Sequence, residues 1–192
     1  EIILEQALAR AGMTMDDSNT VEMTVDGMTT AMISGQIDAA ASWSPNTVTL
    51  QNALGDNYVD LGTNADFLDS AIFPSSYICT PEYAEANHDI LVRFAQALDK
   101  AHDWRAAHPE EMAKLLAKEL DAPEDTMLAA VGEADWQTIT EVCGDMDAIK
   151  TVYETQQGIF LDNGTITENV PVEDYVLFDV MQEAYDAYSA AK

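Results

Sequence analysis

"VEMTVDGMTTAMISGQIDAAASWSPNT", residues 21–47, is the stretch on which the reading of the fold turns. Val21, Met23 and Val25 alternate as the residues of a half-buried strand do, and Asp26-Gly27 turns into a short helix whose apolar face is Met28, Ala31 and Met32. Gly35 ends that helix. "IDAAASW", 37–43, is then apolar throughout apart from Asp38, the pattern of a parallel strand covered on both faces. Pro45 opens another helix through Leu50 to Leu54, Gly55 caps it, and "NYVDLG", 57–62, reads as a third strand. Strand, helix, strand, helix, strand predicts right-handed βαβ units and a parallel sheet, so the fold class is α/β.

Working outward, Ile3, Leu4, Ala7, Leu8 and Ala11 fall at helical spacing with Gly12 at the cap position, so the chain opens inside a helix and a preceding segment is expected. "AIFPSSYICT", 71–80, predicts one more strand, and after it the pattern becomes helical. Helices are expected over "ILVRFAQALDKAHDW" (90–104), from Pro109 through "PEEMAKLLAKEL", over "PEDTMLAAVGEA" (123–134), from about Asp147 to Phe160, and over "VEDYVLFDVMQEAYDAY" (172–188), where Tyr175, Phe178, Met181, Tyr185 and Tyr188 recur every three or four residues. The composition shift near residue 71 divides the chain into an α/β part, 1–70, and a mainly helical part, 71–192.

The composition narrows the chemistry. Of 192 residues 47% are hydrophobic, enough for a core, and the apolar runs are too short for a membrane span of about 20 residues. Against 35 Asp and Glu stand 8 Lys and Arg, and a net charge of −27 repels nucleic acid and anionic membranes. Such charge reads as surface solvation; no EF-hand spacing accompanies it. Cys79 and Cys143 have no CxxC or His partner at metal spacing, so no metal site is expected and they read as buried thiols, their pairing left open. His88, His102 and His108 lie in no HExxH or nucleophile-elbow context, and no P-loop, GxSxG or GxGxxG occurs; neither a catalytic residue nor a cofactor is expected. "NGT" at Asn163 matches a glycosylation sequon but reads first as a turn.

A parallel strand running into Trp43 would deliver its indole to the carboxyl edge of the sheet, where α/β folds form ligand crevices. Ser42, Ser44 and the amides before the helix that follows Pro45 could orient a polar group there, and Asp26 and Gly27 would face the same crevice. The bland alternative is that Trp43 plugs the sheet edge.

With those residues in hand, residues 21–47 resemble the second-lobe segment of the nitrate, sulfonate, taurine and thiamine-precursor solute-binding proteins of ABC importers, whose pattern is a short strand, an acidic turn and "A…G.vDA...W.P". "IFPSSYICTPEYAEANHDILVRFAQALDKAHDWRAAHPEEMAKLLAKEL", 72–120, resembles that family's crossing strand and the two helices after it, and "IKTVYETQQGIFLDNGTITENVPVEDYV", 149–176, its late helix. The resemblance implies a type II periplasmic-binding fold: one α/β lobe plus the C-terminal helical part of the other, with most of the first lobe absent. It implies Trp43 and Asp26 as ligand-binding residues, with Ser75, Ser76 and Tyr77 of the crossing strand near the cleft. It also implies a periplasmic or lipid-anchored location, a small-molecule solute, a membrane permease as partner, and self-association through surfaces the missing lobe would cover. No Arg or Lys occurs from residue 11 to 92, so this segment has no guanidinium for an oxyanion, and a neutral or cationic heterocycle suits an aromatic ring beside carboxylates at least as well. The effector domain of LysR-type regulators and a pyrimidine-synthase-like enzyme share the fold and are the alternatives. The helix-turn-helix of the one and the cysteine-rich motif of the other are not visible in this sequence.

Overall fold

A computed structural model describes residues 2–67, 74–132 and 136–192. In chain order its helices are α1 (Ile2–Arg10), α2 (Val25–Ile33), α3 (Asn46–Leu54), α4 (Pro81–Ala86), α5 (His88–Ala107), α6 (Pro109–Glu119), α7 (Glu124–Ala129), α8 (Ile139–Cys143), α9 (Met146–Asp162) and α10 (Phe178–Ala190). Their ends follow local chemistry. The Thr24 hydroxyl accepts from Gly27 N at 3.2 Å to start α2, and Gly35, at φ 69°, lets Gln36 N close back on Ala31 O at 2.9 Å. Thr80 caps α4 ahead of Pro81, and the Thr138 and Glu141 side chains satisfy each other's backbone amides at the start of α8.

The chain divides into two compact units, Glu1–Leu68 with Pro109–Asp135, and Asp69–His108 with Trp136–Lys192. In the first, α2 packs on α3, burying Thr29, Ala31, Val48 and Leu50. Ala113 and Ala117 of α6 close on Met127 of α7, with Leu116, Ala122, Leu128 and Val131 around them. The Arg10 guanidinium lies over the buried Phe67 ring, 3.9 Å from its centre, and donates to the Asp66 carbonyl.

The second unit is built on α5 against α10. Val92, Val180 and Ala184 form its centre, with Leu91 and Ala95 packed around them. Ala184 is fully buried, at 0% exposure, and so small a side chain lets the helices approach closely. Its neighbour α8 contributes Ile139 and Cys143, both buried. On α9, the Gln157 side chain donates to Val170 O at 2.9 Å and accepts from Val170 N at 2.7 Å, fastening the segment that leads to a 3-10 turn at Val172–Asp174.

The helical expectations for 3–11, 28–32, 45–54, 90–104, 109–120 and 147–160 match α1, α2, α3, α5, α6 and α9. The parallel sheet does not appear: among the described residues there is no strand, and they fold as helices joined by irregular backbone. Val25 is the first residue of α2, with Thr24 as its cap, so the alternation Val21, Met23, Val25 is cut short and Asp26 and Gly27 lie in a helical first turn rather than at a strand end. Residues 37–43 and 58–62 are irregular; alanine, which fills 39–41, gains little from a pleated surface. Of the expected strand at 71–80, residues 71–73 lie outside the described residues, and 74–80 carry no regular structure. Two expected helices are shortened: over 123–134 only Glu124–Ala129 is α-helical, with 133–134 outside the described residues, and over 172–188 a 3-10 turn precedes a helix that begins only at Phe178. Both cysteines are free, and Cys79 is exposed rather than buried.

Candidate functional site

Five of the residues singled out from the sequence fall in the first unit. Trp43 stands in the irregular segment before α3 rather than at a sheet edge, and it is 61% exposed, although a tryptophan gains more than most side chains from burial. Beside it the Ser42 hydroxyl is shut away from solvent with no hydrogen-bond partner. Ser44, joined to Pro45 by a cis peptide bond, has its hydroxyl 3.3 Å from that of Thr47 in the first turn of α3. Asp26 and Gly27 occupy the corresponding turn of α2: the Asp26 carbonyl accepts from Thr30 Oγ1 at 2.9 Å, and its carboxylate is left at the exposed helix N-terminus, where a negative charge is favoured. The first turns of two helices that pack on each other thus hold these five residues or lie next to them.

Ser75, Ser76 and Tyr77 belong to the second unit, and all three are exposed. The Ser76 hydroxyl is 2.6 Å from the Tyr153 hydroxyl on α9. Two hydroxyls that share one hydrogen bond retain one O–H to offer a ligand. Tyr153 meets Tyr175 edge to face at 6.3 Å, and Tyr77 meets Phe94 of α5 edge to face at 5.4 Å. Burial, with Tyr153 and Glu154 adding to it, pushes the Tyr175 phenol up, so it is a neutral hydroxyl at neutral pH. The nearby cation is occupied: Lys150 pairs with Glu173 and, at 3.8 Å, with Glu154, and the Glu173 contact raises the ammonium and lowers the carboxylate.

Tyr153, Tyr175 and Phe94 are residues that sequence reasoning missed as neighbours of this segment. Tyr175 and Phe94 were visible as members of helical stripes, but nothing in a periodicity says that Ser76 meets a residue 77 positions away. The three histidines are engaged locally. His88 bonds Glu183, His102 bonds Arg105, and His108 Nδ1 lies 2.8 Å from Trp104 O with its ring stacked on that indole. Among the described residues no cluster of three or more His, Cys, Asp or Glu could hold a metal ion, and no helix is long and apolar enough to cross a membrane. In the first unit hydroxyls and an exposed indole, and in the second hydroxyls and aromatic rings, are groups that can hydrogen-bond to a small molecule or stack on it.

Comparison with known proteins gives the chain a family. A family model described as "NMT1/THI5 like" matches residues 1–112, more than half of the chain, and the protein belongs to that family, which implies a periplasmic-binding-protein-like fold. Proteins of Brucella abortus, Brucella suis and Brucella melitensis, each named "Putative binding protein", are 33% identical over 118 residues. The match spans 62% of this chain and 37% of each of those proteins. No solved structure matches the chain.

Proposed function

We propose that the protein is the extracytoplasmic solute-binding component of an ABC importer, capturing a small organic or oxyanion solute of the sulfonate, taurine, nitrate or thiamine-pyrimidine type and handing it unchanged to a membrane permease. The observation that carries this reading is the exposed Trp43 beside the partnerless Ser42 hydroxyl, within the segment that matches the family. In it, residues 1–70 form the second lobe of an α/β, type II periplasmic-binding fold, and 71–192 supply the crossing strand and helices of the first. Trp43, Ser42, Ser44, Asp26, Gly27, Ser75, Ser76 and Tyr77 contact the solute. Ligand bridging two lobes shifts a hinge equilibrium toward the closed form that a permease recognises. A periplasmic or lipid-anchored location and self-association through exposed apolar residues such as Ile78 belong to the same reading.

Arg10 is held over Phe67, and the next Lys or Arg in the chain is Arg93, so an oxyanion would be bound by hydroxyls and amides rather than by a guanidinium from this segment. A thermal-shift screen against taurine, alkanesulfonates, nitrate, thiamine pyrimidines and flavins tests the reading. A ligand at 100 times its Kd adds about 2.7 kcal/mol of stability, so one class raises Tm clearly. Absence of a shift with every class would remove the support.

A further inference from the structure

The α5–α10 seam carries ionisable groups along its whole length. The two helices run parallel: His88 at the start of α5 meets Asp179 and Glu183 at the start of α10, and Asp103 near the end of α5 meets Tyr188 and Lys192 at the other end. Val92, Ala95, Asp99 and Asp103 recur along α5 at spacings of three and four, so one stripe begins apolar and ends acidic.

The groups in that stripe are unequally compensated. His88 Nε2 is 2.9 Å from Glu183 and Nδ1 is 3.9 Å from Asp179, with Asp89 also close enough to act on it. Asp103 is satisfied: it accepts from Ile139 N at 2.8 Å and from the Tyr188 hydroxyl at 2.8 Å, and it pairs with Lys192. Asp99 is not. It is 6% exposed, its Oδ2 has no partner, and the groups that act on it or feel it are Asp103 on its own helix, Cys143 of α8, and Tyr188 and Lys192 of the α10 end, where the ammonium is already engaged by Asp103. A buried carboxyl without a partner is far cheaper to keep as the neutral acid than as the anion.

We propose that the α5–α10 seam is a proton-operated clamp: a proton held by Asp99 and another held by His88 lock α10 onto α5 in mildly acidic surroundings, and their loss toward alkaline pH loosens it. Burial, with Asp103 adding to it, pushes Asp99 up from an ordinary 3.8 to about 6. The unfolded chain therefore gives up this proton first, and stability falls as pH rises from about 4 to about 6. The Glu183 hydrogen bond raises His88, so its contribution is complete below the ordinary value of 6.5 and is lost as pH climbs through the higher folded value. Asp103 is lowered, Tyr188 and Lys192 are raised, and burial pushes Cys143 up to about 11. His102, bonded to Arg105 and lowered by burial, acts in the opposite sense, so the effect is read by comparing variants.

The experiment is amide hydrogen exchange across 180–190, corrected for intrinsic rates, from pH 4.5 to 8.5, on the wild type, Asp99→Asn and His88→Gln. The wild type loses α10 protection as pH rises. Asp99→Asn keeps acid-level protection at pH 7.5, with an opening equilibrium constant up to about 100-fold smaller than wild type, and loses the dependence below pH 6. His88→Gln keeps that dependence and loses the part above 6.5. A flat wild-type profile overturns the proposal, as does an Asp99→Asn profile that parallels the wild type, which would assign the dependence to surface carboxylates. Should Asp99→Asn not fold, carbon NMR of the wild-type Asp99 carboxyl decides, because a midpoint at or below 4 overturns the proposal equally.

Discussion

The seam of α5 and α10 and the irregular stretches of the first unit are drawn from one chain, yet they treat apolar side chains in opposite ways. Along the seam Val92, Val180 and Ala184 are buried. In the stretches between α1, α2 and α3, and in the one after α3, Val21, Met23, Trp43, Val59 and Leu61 are exposed. A helix satisfies its own backbone and needs only one matching stripe to bury its apolar face, whereas an extended segment needs a neighbouring strand for its amides as well as a surface for its side chains. Where the first condition holds, the chain packs. Where the second is unmet among the described residues, large apolar groups stay in water, and a ligand or a partner can claim them.

The contrast is broken most severely by placing a charge in the seam. Ala184→Asp puts a carboxylate at a site with no solvent and no partner, and the second unit should lose about 4 kcal/mol of stability, read by urea unfolding. A loss below 1 kcal/mol would mean that the seam opens in solution. Next, Gln157→Ala removes both hydrogen bonds to Val170 and should cost about 2 kcal/mol, because a part-buried amide and carbonyl are left without partners. An unchanged unfolding midpoint would show that the 170–175 segment is anchored by Tyr175 and Glu173 instead.

The smallest effect belongs to the other region. Leu61 is 74% exposed, and Leu61→Ser should change stability by less than about 0.5 kcal/mol. A loss of 2 kcal/mol or more would show that this stretch is covered in solution, as a strand of the expected sheet would be.

What the sequence discloses follows the same division. The helices were legible because stripe and punctuation agree: Gly12, Gly35 and Gly55 sit at positive φ just past α1, α2 and α3, and Pro109 opens α6. The short helix α8 went unread although its capping box is written out in Thr138 and Glu141, because five residues carry no period. The strands over 21–25 and 37–43 rested on alternation across three apolar residues and on a run of alanines, both of which a capped helix start or a loop can absorb. The candidate site was legible as residue types and not as contacts. Trp43, Ser42 and Ser44 are adjacent in sequence, but the pairing of Ser76 with Tyr153 exists only after the chain has brought the two together.

The proposed role of the protein is to hold a small solute through Trp43 and leave it chemically intact. Its most direct test is a calorimetric titration of the wild type and Trp43→Ala with the compound that raises Tm, followed by mass spectrometry of the recovered compound. The account predicts saturable binding by the wild type, a loss of about 1–3 kcal/mol in the variant with its own Tm little changed, and the compound returned unaltered. Equal affinity in the two proteins, or conversion of the compound, would contradict it.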